Sequence, residues 1–252
     1  MPDTFHHDGF DISYTDEGSG EPVLFIHGFA SSAKVNWIST GWTSYLQDAG
    51  YRTIVFDNRG HGQSTKSYNE HDYSPGKMAA DAAALLVHLQ IKAAHVIGYS
   101  MGARISTFLA ILFPKMVRSL TLGGLGIGLV DGVGDWDPIA AALLTEAPET
   151  ITDPRGAAFR KFADATKSDR RALAACIARS RELVTKEQLS NVEIPTLVAV
   201  GTKDDIGGSP HELAALMPHA AAFDIEGCDH MRAVGDPTFK RAVLELMRQN
   251  PM

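Results

Sequence analysis

Six short apolar runs, each stopped by a glycine or aspartate turn, constrain this chain more than any other feature. They occupy residues 23–26, 53–56, 95–97, 117–122, 196–200 and 221–225. Runs this short, with little polar alternation, suit strands buried on both faces. Helical patterns lie between them. Ser74-Pro75 supplies an N-cap and a first-turn proline. Met78, Ala82, Leu86 and Leu89 then recur at helical spacing, and residues 104–112, 210–217 and 237–247 read the same way. Strands alternating with helices imply an α/β fold: a mostly parallel central sheet covered by helices on both faces. Near the start, Phe10, Ile12 and Tyr14 alternate with polar residues, which predicts a half-exposed edge strand.

The alternation breaks over residues 125–191. No strand-like run occurs there, and short helical patterns cover 139–144, 157–165 and 170–180. The expected organisation is a core of residues 1–124 and 192–252 with a small helical cap insertion at 125–191. Between Arg155 and Lys186 this segment carries nine Lys/Arg against three Asp/Glu. Two readings fit: solvated helix faces, or a lid that attracts acidic substrates.

Composition narrows the function. Hydrophobic residues are 44% and charged residues 21%, as in an ordinary globular protein. The net charge of −7 argues against general nucleic-acid binding. No apolar stretch is long enough to span a membrane. The two cysteines, Cys176 and Cys228, are too few for a disulfide framework or a four-thiolate zinc site. Residues 1–7 lack the basic start and apolar stretch of a signal peptide. Together these features imply a reducing, cytoplasmic setting, with no metal and no cofactor.

The chemistry centres on Gly98-Tyr99-Ser100-Met101-Gly102. An apolar strand precedes it and a helical pattern follows, so the string forms a strand–sharp turn–helix element. Such a turn strains the serine backbone, and glycines on either side remove side chains that would crowd it. Ser100 then sits near a helix N-terminus, where free N–H groups favour negative charge. A serine needs an adjacent base to act as nucleophile.

With this element the chain resembles the α/β-hydrolase-fold serine hydrolases, esterase- or lactonase-like members in particular, from Phe10 to about Met247. That resemblance implies a triad in the order nucleophile, acid, histidine. The family's strand-then-G-x-x-D pattern falls on Gly201-Thr202-Lys203-Asp204 and points to Asp204, with the adjacent Asp205 as competitor. Its G-x-x-H after the last strand falls on Gly227-Cys228-Asp229-His230 and points to His230 as general base. His211, His219 and Asp229 are then surface or structural residues. The H-G-x string His27-Gly28-Phe29 implies a backbone oxyanion donor at Phe29, partnered by the N–H of Met101 after the nucleophile. Asp57-Asn58-Arg59-Gly60-His61-Gly62-Gln63-Ser64 resembles the family's D-x-R-G-x-G-x-S signature, which shapes a loop.

Gly124-Leu125-Gly126-Ile127-Gly128 does not complete a dinucleotide fingerprint, because Leu129 and Asp131 break G-x-G-x-x-G. It is expected to hinge the insertion. Trp37, Trp42 and Trp136 either line an acyl pocket or simply pack. Within the resembled family, serine at the nucleophile position implies acyl transfer on a small-molecule acyl substrate. Small carboxylic esters or lactones come first. Carbon–carbon bond hydrolysis and cofactor-free haloperoxidase or perhydrolase chemistry are the alternatives on the same triad. A small-ligand binding protein on a hydrolase scaffold is the alternative outside catalysis.

Overall fold

The structure, a computed structural model, describes residues 2–252. Its strands are β1 (Asp3–His7), β2 (Phe10–Glu17), β3 (Pro22–Ile26), β4 (Arg52–Phe56), β5 (Ala94–Tyr99), β6 (Val117–Gly123), β7 (Thr196–Gly201) and β8 (Ala220–Ile225). They form one eight-stranded sheet in the order β1-β2-β4-β3-β5-β6-β7-β8. From β4 to β8 every pairing is parallel, while β1 and β2 are antiparallel. All six runs identified in the sequence are strands of the parallel part.

A π-helical turn (Lys34–Ile38) and helix α1 (Trp42–Asp48) follow β3. Helix α2 (Pro75–His88) follows β4, and α3 (Met101–Leu112) follows β5. Between β6 and β7 lie α4 (Gly128–Asp131), α5 (Asp137–Leu144), α6 (Pro154–Ala165), α7 (Arg170–Arg179) and α8 (Lys186–Ser190). Helix α9 (Pro210–Ala214) joins β7 to β8, and α10 (His230–Ala233) and α11 (Pro237–Gln249) complete the chain. No helix among the described residues is long and apolar enough to cross a membrane.

Successive side chains of a strand point to opposite faces, so a strand covered on both sides must be apolar throughout. In β3, Leu24 and Ile26 join the core built with Met78, Leu86, Ile105 and Leu109 of α2 and α3. Val23 and Phe25 face the other way, toward Trp37, Trp42 and the Phe239, Val243 and Met247 positions of α11. Trp37 lies 5.0 Å from the Phe25 ring, and Trp42 donates from Nε1 to the Val234 carbonyl at 2.6 Å. These two tryptophans are therefore packing residues.

The N-terminal expectation needs correction. The strand carrying Phe10, Ile12 and Tyr14 is not an edge, because β1 pairs with it from Asp3↔Tyr14 to His7↔Phe10. Asp8 (φ 50°) and Gly9 (φ 81°) form the two-residue turn between them. Asp-Gly is the favoured pair for such a hairpin. Helix α1 and the π-helical turn have no counterpart in the sequence reading. The left-handed N-cap Gly41 makes no side-chain cap bond, so neither cap chemistry nor a long apolar stripe marks α1.

One buried ion pair ties the sheet's antiparallel end to α2. Arg59 Nε and Nη2 each donate to Asp81 at 2.7 Å, with both side chains essentially unexposed. Arg59 also reaches the Asp72 carbonyl and lies 4.1 Å over the Phe10 ring. His7 Nδ1 lies 2.7 Å from Asp81. Removing Asp81 leaves the buried Arg59 guanidinium with only the half-exposed Asp8 carboxylate, 3.2 Å from Nη2. Asp81→Ala is expected to lower the free energy of unfolding in urea by about 3–5 kcal/mol, and a loss below about 1 kcal/mol would contradict this role for the pair.

Candidate active site

Ser100 sits between β5 and α3 with φ 55° and ψ −114°. Its neighbours explain the glycines. A Cβ on Gly98 would collide with the Gly102 carbonyl and Ser106 Oγ, and one on Gly102 would collide with the Ile26 and His27 carbonyls. The helix therefore starts directly against the end of β3. The Ser100 N–H donates to the Gly123 carbonyl at 2.8 Å, fixing the turn to β6.

Three expected residues come together there. His230 Nε2 lies 3.0 Å from Ser100 Oγ, and His230 Nδ1 lies 2.7 Å from Asp204 Oδ2. The second Asp204 oxygen accepts from the N–H groups of Ile206 (2.8 Å) and Gly207 (3.0 Å). Burial pushes the Asp204 pKa up, but the hydrogen bonds from His230 and these two amides outweigh it and hold the carboxyl below its ordinary value. Asp205 does not reach the imidazole; it stands on an outer groove. Asp229 caps α10 by accepting from Met231 and Arg232 N–H. His211 and His219 are exposed and pair with Asp224 and Glu193.

Phe29 and Met101 border the same cavity as Ser100. No hydrogen bond among the described residues uses their backbone N–H groups. The preceding Gly28 N–H is taken by Asn36 Oδ1 at 2.7 Å, which anchors the loop. The Asp57 signature does shape a loop: Asp57 accepts from Ala33 N–H and Gln63 N–H at 2.8 Å each, and Ser64 Oγ donates to its carbonyl.

Three contributors went unread in the sequence. Asn36 holds the loop after β3. Tyr99 donates from its hydroxyl to the His230 carbonyl at 2.6 Å, linking the end of β5 to the start of α10. Arg104, one turn beyond Ser100, donates to the carbonyls of Gly128, Leu129 and Glu182. It thus grips both ends of the helical segment, and burial lowers its pKa to about 10. Only position gives a signal for Tyr99 and Arg104: the first lies inside the G-x-S-x-G string and the second two residues past it.

Two small cavities meet at Ser100 and Phe29. One, about 40 Å³, is bordered by Asn36, Tyr99, Phe159, Phe162, His230 and Met231. The other, about 30 Å³, is bordered by Met101, Arg104, Leu125, Trp136 and Ile177. Trp136 is thus the pocket tryptophan of the three. Four of the nine basic residues of the helical segment are paired: Arg160 and Arg170 with Asp164, Arg179 with Glu70, Arg181 with Asp137. The Gly124–Gly128 run crosses the 207–209 loop in hydrogen-bonded contact, through Gly126 N–H and Gly128 N–H to the Gly207 carbonyl and Ile127 N–H to the Ser209 carbonyl.

A sheet of this order, with a serine on a strand–turn–helix elbow and a histidine–aspartate pair from the last two strands, defines the α/β-hydrolase class. Comparison with known proteins agrees, and the chain belongs to that family: the family model described as alpha/beta hydrolase fold matches residues 21–155. The protein named non-heme bromoperoxidase BpoC of Mycobacterium tuberculosis is 31% identical over 87% of this chain and 90% of its own length. The non-heme chloroperoxidase CPO-A1 of Kitasatospora aureofaciens is 28% identical over 99% of this chain and 100% of its own. Among solved structures, the esterase RhEst1 from Rhodococcus sp. ECU1013 superimposes with a TM-score of 0.79 at 26% identity, covering 100% of this chain and 99% of that one.

Two histidines flanking the site are built to stay neutral. His27 Nδ1 donates to the Gly28 carbonyl, while Nε2 accepts from Asn58 N–H at 3.0 Å, so that nitrogen has no room for a proton. His61 Nδ1 donates to the Arg59 carbonyl, and its Nε2 is buried without a partner among the described residues. Burial lowers the His27 pKa to about 4; burial, then the nearby His27 ring, lowers that of His61 to about 3. The unfolded chain takes up these protons near pH 6.5, the folded chain only near pH 4 and 3. Their stabilisation is therefore complete above about pH 6.5 and is lost as pH falls toward the folded values. At pH 5 the loss is about 2 kcal/mol per ring. Urea midpoints are expected to drop clearly from pH 7 to pH 5; equal midpoints would contradict the buried neutral rings.

Proposed function

We propose that this protein hydrolyses small carboxylic esters or lactones through an acyl-enzyme, with Ser100 as nucleophile, His230 as general base and Asp204 as its orienting acid. The observation that carries the reading is the unbroken proton path from Ser100 Oγ through His230 to Asp204, 3.0 Å and 2.7 Å long. Ser100 Oγ attacks the substrate carbonyl while its proton passes to His230 Nε2. Asp204 stabilises the resulting imidazolium. The oxyanion is held by the free N–H groups of Phe29 and Met101. His230 then gives the proton to the leaving oxygen, and the alcohol departs. Water, deprotonated by His230, attacks the acyl-enzyme and releases the acid. The sum is ester plus water to acid plus alcohol. No step calls on a metal or cofactor, nor on a nucleic acid or membrane partner. The two free thiols suit a cytoplasmic setting.

A second reading is favoured by the names of the two long-matching relatives, a bromoperoxidase and a chloroperoxidase. Hydrogen peroxide in place of water would attack the acyl-enzyme and release a peracid. The peracid then oxidises bromide outside the triad, giving carboxylate and hypobromous acid. Both readings share the acyl-enzyme and differ only in the nucleophile that resolves it.

Ester turnover is expected to fall by on the order of a thousandfold or more in Ser100→Ala. Asp204→Asn should cost roughly 10³–10⁴-fold in kcat, and Asp205→Asn no more than about twofold. Near-wild-type turnover in Ser100→Ala, or the larger loss in Asp205→Asn, would overturn these roles. Bromination of a diketone in acetate buffer with hydrogen peroxide, run beside ester hydrolysis, separates the two readings.

A further inference from the structure

The two cavities at Ser100 are too small for more than a fragment of a substrate. A water needs roughly 10–15 Å³ of such space, and the cavities offer about 40 and 30 Å³. Beside them lies an open groove of about 550 Å³, within the range of ligand pockets. Its mostly apolar lining includes Ala158, Phe159, Phe162, Ala165, Ile206 and Met231, with Arg155, Lys161 and Asp205 also bordering it. On α6, residues 154, 158, 162 and 165 recur at helical spacing, which turns one apolar face of that helix into the groove wall. Ala158 and Ala165 are exposed there, and Met231 is 55% exposed beside His230. Three residues, Phe159, Phe162 and Met231, belong both to the groove and to the 40 Å³ cavity that His230 borders.

The direction of the reaction decides what each space holds. The imidazole that protonates the leaving oxygen must stand beside it, so the leaving alcohol lies on the His230 side. From there a large space opens in the groove beyond Phe159, Phe162 and Met231. The 30 Å³ cavity closed by Leu125, Trp136 and Ile177, which Ser100 borders and His230 does not, is left for the acyl group. Resting on the hydrolase reading above, we propose that the substrate is an ester of a short acid with a bulky apolar alcohol, and that the α6 groove binds that alcohol.

The test compares 2-(1-naphthyl)ethyl acetate, ethyl acetate and the reversed ester, ethyl 3-(1-naphthyl)propanoate, whose leaving groups are all unactivated primary alcohols. The naphthylethyl acetate is expected to have a KM at least tenfold below that of ethyl acetate, and a kcat/KM at least tenfold above that of the reversed ester. In Ala158→Glu and Ala165→Glu, both on an exposed helix face, the tenfold KM advantage should vanish. A second arm titrates 2-(1-naphthyl)ethanol into Ser100→Ala protein, with and without Ala158→Glu, and expects at least tenfold weaker binding in the double variant. Turnover that ignores alcohol size, or a reversed ester as good as the acetate, overturns the proposal. So do groove variants that change only the mass in solution, which would make the face a contact between copies. Alcohol binding that Ala158→Glu abolishes, in a protein that turns over no ester, would support the groove and reject the hydrolase reading instead.

Discussion

Ser100 is held at φ 55° and ψ −114°, a conformation that costs on the order of 1–3 kcal/mol for a residue with a side chain. It persists because its surroundings permit no other. β5 is paired on both sides, by β3 and β6, so the strand entering the turn cannot shift. α3 leaves the turn pressed against the end of β3, an approach that only the missing side chains of Gly98 and Gly102 allow. The Ser100 N–H is bonded across to Gly123. The strain lifts the hydroxyl out of the sheet and leaves the first amides of α3 free. Those are the two properties an acyl-transfer nucleophile needs.

The remaining groups reach Ser100 because parallel strands end side by side. Ile26 pairs with Gly98, Gly98 with Leu122, Gly123 with Ala199 and Gly201 with Ile225, which brings the ends of β3, β5, β6, β7 and β8 into one row. Phe29, Ser100, Asp204 and His230 lie within a few residues past those ends. Ligands of open α/β sheets collect at such carboxyl ends. Second contacts then remove slack. Asn36 fixes the loop after β3, Tyr99 fixes the backbone of His230, and the Asp204 carboxylate is aimed by two amides as well as by the imidazole.

The parallel strands were legible because burial on both faces leaves an unbroken apolar mark in the chain. The elbow was legible because its steric demand falls on two glycines at fixed spacing, and Asp204 and His230 because each follows a strand end at the family's spacing. What escaped has a common cause. β1 carries one apolar core residue, Phe5, among polar neighbours, so it leaves no alternation to read. Its presence turns β2 from the expected edge into an interior strand. Asn36, Tyr99 and Arg104 act through backbone atoms: Tyr99 on a carbonyl 131 residues away, Arg104 on carbonyls up to 78 residues away. Residue type alone carries no trace of such partners. The helical segment was legible as helices, but its charges were not legible as pairs, because Glu70, Asp137 and Asp164 find their arginines only after folding.

Fluorophosphonate labelling asks most directly whether Ser100 is an activated nucleophile. Its Oγ would attack phosphorus and expel fluoride, leaving a phosphonylated serine. Trypsin releases residues 93–104, in which Ser100 is the single serine. One adduct per chain, confined to that peptide and mapped to Ser100, is the expected result. An unlabelled protein, or an adduct on any other residue, would contradict the central claim.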